Sequence, residues 1–158
     1  MKMSTKGRYG LRVMVELALN YGRGPMLTEA IAKNQQISDN YIHLLVKKLK
    51  ESGFIKAARG RNGGYYIARD PNLINVLEVV HAMEGKISVV ECTDNKSFCE
   101  RDDCCVAREL WMDLRNLIEE ALQKVTIGDL SRRQSALLTG QDGCANNLKE
   151  QNHRGTIQ

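Results

Sequence analysis

The sequence predicts a mainly α fold with one small β hairpin, and three observations predict it. From Ser4 to Leu138, apolar residues recur mostly at three- and four-residue steps, the spacing that gathers them on one face of a helix. A single stretch, FIKAARGRNGGYYIAR, instead alternates in two short segments around a glycine-rich centre, as a hairpin does. Charge is unevenly divided: residues 1–70 hold 13 Lys/Arg against 5 Asp/Glu, whereas residues 71–158 hold 10 against 14. The first part is therefore suited to meet a polyanion.

Taken in order, Ser4 or Thr5 caps a first helix whose apolar residues are Leu11, Met14, Val15, Ala18 and Leu19, with Lys6, Arg8 and Arg12 on its exposed side and Gly22 at its end. After GRGP, Thr28 begins a short helix in TEAIAKNQQ, and Ser38 caps a third that runs to about Ser52. In the third helix Ile42, Leu45, Val46 and Leu49 form a core face; Asn40, Leu44 and Lys47 lie opposite, flanked by His43 and Lys48. Helix, short helix, turn and a helix with a polar or basic free side is the order of a helix-turn-helix with its recognition helix. The hairpin that follows, with Arg59 and Arg61 at its tip, is then a wing.

Pro71 and Gly85 bracket the next helix, NLINVLEVVHAMEG, with Leu77, Val80 and His81 facing inward. From Cys105 to Lys124 a longer helix repeats Val106, Leu110, Leu114, Leu117, Ala121 and Val125, and Trp111, Ile118 and Leu122 widen the stripe. At 1.5 Å per residue it spans roughly 30 Å, too long for so small a domain to cover, so it is expected to be a homodimerisation helix. A last helix lies in IGDLSRRQSALL, where Asp129 serves the first turn and Arg132 and Arg133 the later part. From residue 139 the chain has too few apolar residues to pack and reads as a disordered tail. The expected organisation is a winged helix-turn-helix over 1–70, a cysteine loop and dimerisation helix over 71–138, and the tail over 139–158.

At 158 residues, with 42% hydrophobic and 27% charged residues, the chain is expected to be globular with a single core. No apolar run approaches the roughly 20 residues of a membrane span, VMVELAL is broken by Glu16, and MKMSTKGRYG lacks the apolar core of a signal peptide. The expected compartment is the cytoplasm. No nucleophile and base constellation or phosphate loop argues for an enzyme; the glycines of GRNGG belong to the hairpin.

For double-stranded DNA the candidate contacts are Ser38, Asn40, Tyr41, His43, Lys47 and Lys48 on the recognition helix, where amide and basic side chains read base edges and phosphates. Leu44 is placed to meet a thymine methyl. Arg59 and Arg61 on the wing suit an adjacent minor groove, whose negative potential attracts guanidinium groups. Four of the five cysteines fall in ECTDNKSFCERDDCCVAREL, at 92, 99, 104 and 105. In a reducing compartment clustered thiols point to a metal or redox site rather than to disulfides. The gaps contain no pair separated by two residues, which argues against structural zinc; by spacing alone an iron-sulfur cluster, zinc or another metal, redox thiols and no site all remain open.

The start MKMSTKGRYGLRVMVELALN, the helix SDNYIHLLVKKLKESGFI, the wing ARGRNGGYYIARDP, the cysteine loop and CVARELWMDLRNLIEEALQKVTIGDL together resemble the IscR-like iron-sulfur cluster regulators, in a winged-helix family that also contains NsrR and CymR. The resemblance covers about residues 1–135. It implies a homodimeric transcription regulator, a repressor or dual regulator of iron-sulfur biogenesis genes. It also implies a 2Fe-2S cluster held through Cys92, Cys99 and Cys105, the last matched by standing six residues before Trp111, with Cys104 as the alternative or fourth ligand. IscR-like members take a fourth ligand from a histidine three residues after the third cysteine; here that residue is Arg108, which cannot ligate. NsrR-like relatives take a carboxylate from the first helix, and the matching residue is Arg8. Cys104, Glu109, solvent or a small thiol remain open for that corner. His43 stands where the IscR-like pattern has an acidic residue, so operator preference does not carry over.

Overall fold

The computed structural model describes residues 3–60, 63–94, 101 and 104–140. Within them lie six α-helices and one antiparallel hairpin: α1 (Thr5–Leu19), α2 (Thr28–Gln35), α3 (Asp39–Glu51), β1 (Ile55–Ala58), β2 (Gly64–Ile67), α4 (Val76–Glu84), α5 (Val106–Gln123) and α6 (Ile127–Leu138). Single 3-10 turns at Pro71–Leu73 and Glu91–Thr93 precede α4 and follow it. The mainly α fold with a small β wing is thus observed, and no helix among the described residues is long and apolar enough to cross a membrane. The segment expected to be a disordered tail lies, from residue 141 on, outside the described residues.

α1 is the central element and packs against α2, α3, α4 and α6. Ser4 caps it, its hydroxyl accepting from the N–H groups of Lys6 and Gly7 at 3.1 and 3.3 Å. Its apolar repeat divides between two faces. Met14 and Ala18 join Val13 and Leu17 in the core, whereas Leu11, Val15 and Leu19 are half-buried along the side toward α6. The core continues through Ile31, Ile42, Leu45, Val46, Leu49, Ile55, Ile67, Ile74, Val79 and Ile127, so helix-turn-helix, wing, α4 and the start of α6 share one interior.

Glu16, which interrupts the apolar run of α1, is buried because it is fully used: it accepts from Asn34 Nδ2 at 2.6 Å and Gln35 Nε2 at 2.7 Å. Those bonds tie the end of α2 to α1, and so set the height from which α3 leaves.

α5 differs from every other helix in having no buried residue. One side, with Trp111, Ile118 and Leu122 half-buried, rests near α4 and the Glu91–Thr93 turn; the other carries exposed apolar residues. A two-residue bridge returns the chain to the core: Val76 N–H donates to the Val125 carbonyl at 2.9 Å and Ile127 N–H to the Ile74 carbonyl at 2.8 Å.

α6 then opens on a capping box, in which Thr126 Oγ1 accepts from Asp129 N–H at 3.0 Å and the Asp129 carboxylate accepts from Thr126 N–H at 2.9 Å. The Thr126 hydroxyl and N–H bonds, with Arg132 assisting, hold the Asp129 carboxyl below its ordinary value of 3.8. A folded pKa below the unfolded one means stability that is present above pH 3.8 and lost as pH falls through the folded value. Asp129→Ala should therefore melt below the parent protein near neutral pH, with the two midpoints converging in acid; a gap that persists to about pH 2 would contradict this role.

Candidate nucleic-acid interface and cysteine loop

α3 leaves α2 through Gln36, whose backbone is left-handed at φ 54, and through an Ile37 N–H bond to the Ala32 carbonyl at 3.0 Å. Ser38 then takes the N-cap position, and its carbonyl accepts from Tyr41 and Ile42 N–H, both at 3.0 Å. Its hydroxyl makes no capping bond, contrary to the cap expected, and is left exposed at the helix start. Asp39 in the first turn and Lys48 and Lys50 in the last complement the helix dipole.

The burial of Ile42, Leu45, Val46 and Leu49 sets the rotation of α3. Asn40, His43, Leu44 and Lys47 consequently form one exposed stripe at steps of three, one and three. Leu44 is 46% exposed in the middle of it, an apolar contact among polar ones. Tyr41 departs from this stripe: it is half-buried, edge-on to Tyr9 with ring centroids 6.0 Å apart and planes at 79°. Lys48 is half-buried on the flank.

The wing pairs Ile55 with Ile67, Lys56 with Tyr66, Ala57 with Tyr65 and Ala58 with Gly64. Ile55 and Ile67 point into the core, and Lys56 and Tyr66 point to solvent. On its other edge β2 is also bonded to the loop before α2, through Met26 N–H to the Tyr65 carbonyl at 2.9 Å and Tyr65 N–H to the Met26 carbonyl at 2.8 Å. Core burial and this bridge hold the hairpin, with exposed Arg59 at its tip; Arg61 lies outside the described residues.

In the cysteine loop, Cys92 is half-buried in the Glu91–Thr93 turn and Cys105 half-buried at the N-cap of α5, while Cys104 is exposed; Cys99 lies outside the described residues. Arg108 joins the two half-buried cysteines by their backbones: its Nε donates to the Cys92 carbonyl and its N–H to the Cys105 carbonyl, both at 3.0 Å. Two turns further along the same face, Arg115 donates to the Thr93 carbonyl at 3.4 Å and reaches Asp94 Oδ1 at 3.3 Å. Sequence reasoning missed both roles, although the seven-residue spacing of Arg108 and Arg115 put them on one face. It also missed Tyr9, for which no local signal marks the contact with Tyr41. Among the described residues no three His, Cys, Asp or Glu side chains gather as a metal site.

Comparison with known proteins accords with this arrangement. Residues 3–133 match the model of the Rrf2 family, iron-dependent transcriptional regulators. The HTH-type transcriptional regulator CymR of Bacillus subtilis (strain 168) is 38% identical over 131 residues, covering 83% of this chain and 90% of that protein. IscR of Escherichia coli (strain K12 / DH10B) is 33% identical over 137 residues, covering 87% and 84%. Among solved structures, that of CymR, the global cysteine regulator of B. subtilis, has a TM-score of 0.73 at 37% identity over 84% of this chain and 98% of that one. T. potens IscR has a TM-score of 0.70 at 31% identity over 85% and 88%. The recognition helix, the wing and the long helix after the cysteine loop are thus those of relatives that are transcriptional regulators, and the chain belongs to the Rrf2 family of winged-helix DNA-binding transcriptional regulators.

Proposed function

We propose that the protein is a cytoplasmic homodimer that represses, or regulates in both senses, iron-sulfur biogenesis genes and reads its signal through a 2Fe-2S cluster held by Cys92, Cys99 and Cys105. The observation that carries the reading is the Arg108 bridge. One side chain draws the Cys92 turn to the start of α5, beside Cys105. The donor chemistry fits, since thiolates are the ligands such clusters take. Arg108 has no lone pair to offer, so it orders the loop and leaves the fourth corner to another group, Cys104 among them. When bound, the cluster supplies redox activity and lability toward iron supply and oxidants. The chain's contribution is to couple the loop to α5. A signal shifts DNA binding only by its differential affinity for the two dimer conformations.

A second reading is a cluster-free regulator controlled by thiol oxidation or by a partner protein. Two observations favour it: a relative of 38% identity is CymR, and Cys104 is exposed next to Cys105. One measurement separates the two. Anaerobically prepared protein should show visible absorption bands and hold iron and sulfide; their absence after attempted reconstitution would sink the cluster reading and leave the thiol one.

The DNA surface makes its own prediction. On a duplex of mixed sequence, Lys47→Ala should weaken binding at low salt and reduce the slope of log affinity against log salt by about 0.9 per protomer for a phosphate contact. An unchanged slope would remove Lys47 from the interface. His43→Ala should instead alter preference among operators.

A further inference from the structure

We infer that the operator carries a T·A pair whose thymine methyl is covered by Leu44, and an A·T pair read by Asn40 within about two base pairs of it. This rests on the DNA-binding reading of the fold and names the bases that α3 selects. Burial of Ile42, Leu45, Val46 and Leu49 fixes the rotation of α3, so its exposed side chains approach a duplex together. Asn40 and Lys47 lie four residues before and three residues after Leu44 on the same face. α3 cannot bring both of them to the DNA without bringing Leu44 as well. A lone exposed leucine is ordinary on a protein surface, but this one, 46% exposed, stands in the middle of the face that enters the groove.

The chemistry of the major groove then limits what Leu44 can meet. Guanine shows N7 and O6 there, adenine N7 and the N6 amino group, cytosine the N4 amino group, and thymine O4 with a C5 methyl. Leucine has no donor or acceptor to offer. Pressed against the edges of guanine, adenine or cytosine, it strips water from polar groups and replaces nothing. The thymine methyl is the apolar group of that surface, and covering it removes apolar area of both partners from water. Leu44 thus selects twice, by the methyl it covers and by the polar edges it would leave dry. Asn40 supplies the complementary contact: its exposed amide can accept from adenine N6 and donate to adenine N7 at once. Four residues of helix advance about 6 Å and successive base pairs about 3.4 Å, which places the pairs met by Asn40 and Leu44 no more than about two steps apart.

The test begins with full-length, anaerobically prepared protein and a library of random-sequence duplexes from which bound sequences are enriched, and is repeated with Leu44→Ala and Asn40→Ala. The expected result is a thymine position whose preference Leu44→Ala flattens, and an adenine position, flattened by Asn40→Ala, within about two base pairs on either strand. In the enriched duplex, uracil in place of that thymine removes the methyl alone. It should weaken binding of the unchanged protein about fourfold, the effect of one buried methyl group, and leave Leu44→Ala unaffected. Cytosine there should weaken binding further, and 5-methylcytosine should recover part of the loss. Because Leu44 is exposed, Leu44→Ala should melt with the parent, and the uracil scan on the unchanged protein stands apart from the variant. Failure to enrich any sequence overturns the DNA-binding reading and this inference together. Enriched sequences in which no thymine responds to uracil, or in which Leu44→Ala keeps the same response, overturn the Leu44 assignment and leave DNA binding standing. An adenine position farther off overturns the part given to Asn40.

Discussion

Cys105→Ser should abolish the visible absorption and the iron and sulfide content of anaerobically prepared protein, whereas Cys104→Ser should leave both. The two sulfurs are neighbours in sequence, but their surroundings differ. Cys105 is half-buried at the N-cap of α5, where its carbonyl accepts from Arg108 and Glu109 N–H at 3.0 and 3.4 Å and the helix N-terminus favours a negative ligand. Through Arg108 its backbone is joined to that of Cys92. Cys104 is exposed, two residues before the helix, its N–H donating to the Arg101 carbonyl at 3.1 Å. Adjacent residues at such a boundary diverge in direction, so the two seldom reach the same metal, and Cys105 is the one expected to. Loss of the cluster in Cys104→Ser but not in Cys105→Ser would reverse the assignment. Loss in both would make Cys104 the fourth ligand.

Gly64→Ala should destabilise the protein by about 2–4 kcal/mol, combining a disfavoured backbone with a forced contact. Gly64 lies at φ +146, and a Cβ there would collide with the Met26 carbonyl, a backbone atom held by its own bond to Tyr65. The midpoint of thermal unfolding should fall by about 5–15 °C for a chain of this size. DNA affinity should fall with it, because Arg59 stands on the strand end that Gly64 anchors. Gly22→Ala is the control. Gly22 has φ +79 but open space where a Cβ would stand, so only the backbone cost applies, about 1 kcal/mol. If the two variants melt together, the Met26 contact does not constrain the wing.

How much of the fold and site is legible in the sequence follows from how local each feature is. The stripe Asn40, His43, Leu44 and Lys47 can be read because burial of Ile42, Leu45, Val46 and Leu49 is a property of thirteen consecutive residues. The wing can be read from its glycines, and α5 from its leucine repeat. The hydroxyl of Ser38 cannot, because an N-cap residue type does not guarantee the side-chain bond. Tyr41 reads as a DNA contact on the strength of its neighbours, yet its contact with Tyr9 depends on how α1 lies against α3.

Sequence alone therefore carried the element order, the recognition helix and its core face, the wing and the grouping of cysteines, since each is written in periodicity, capping or spacing within a short stretch. Tertiary packing decided the rest. It spent Glu16 on holding α2, turned Arg108 and Arg115 back onto the cysteine loop, and left Leu11, Val15 and Leu19 facing a groove rather than the core. In each case the physical reason is the same: whether a charge is paired or an apolar face is covered depends on residues distant in the chain, which local pattern does not contain.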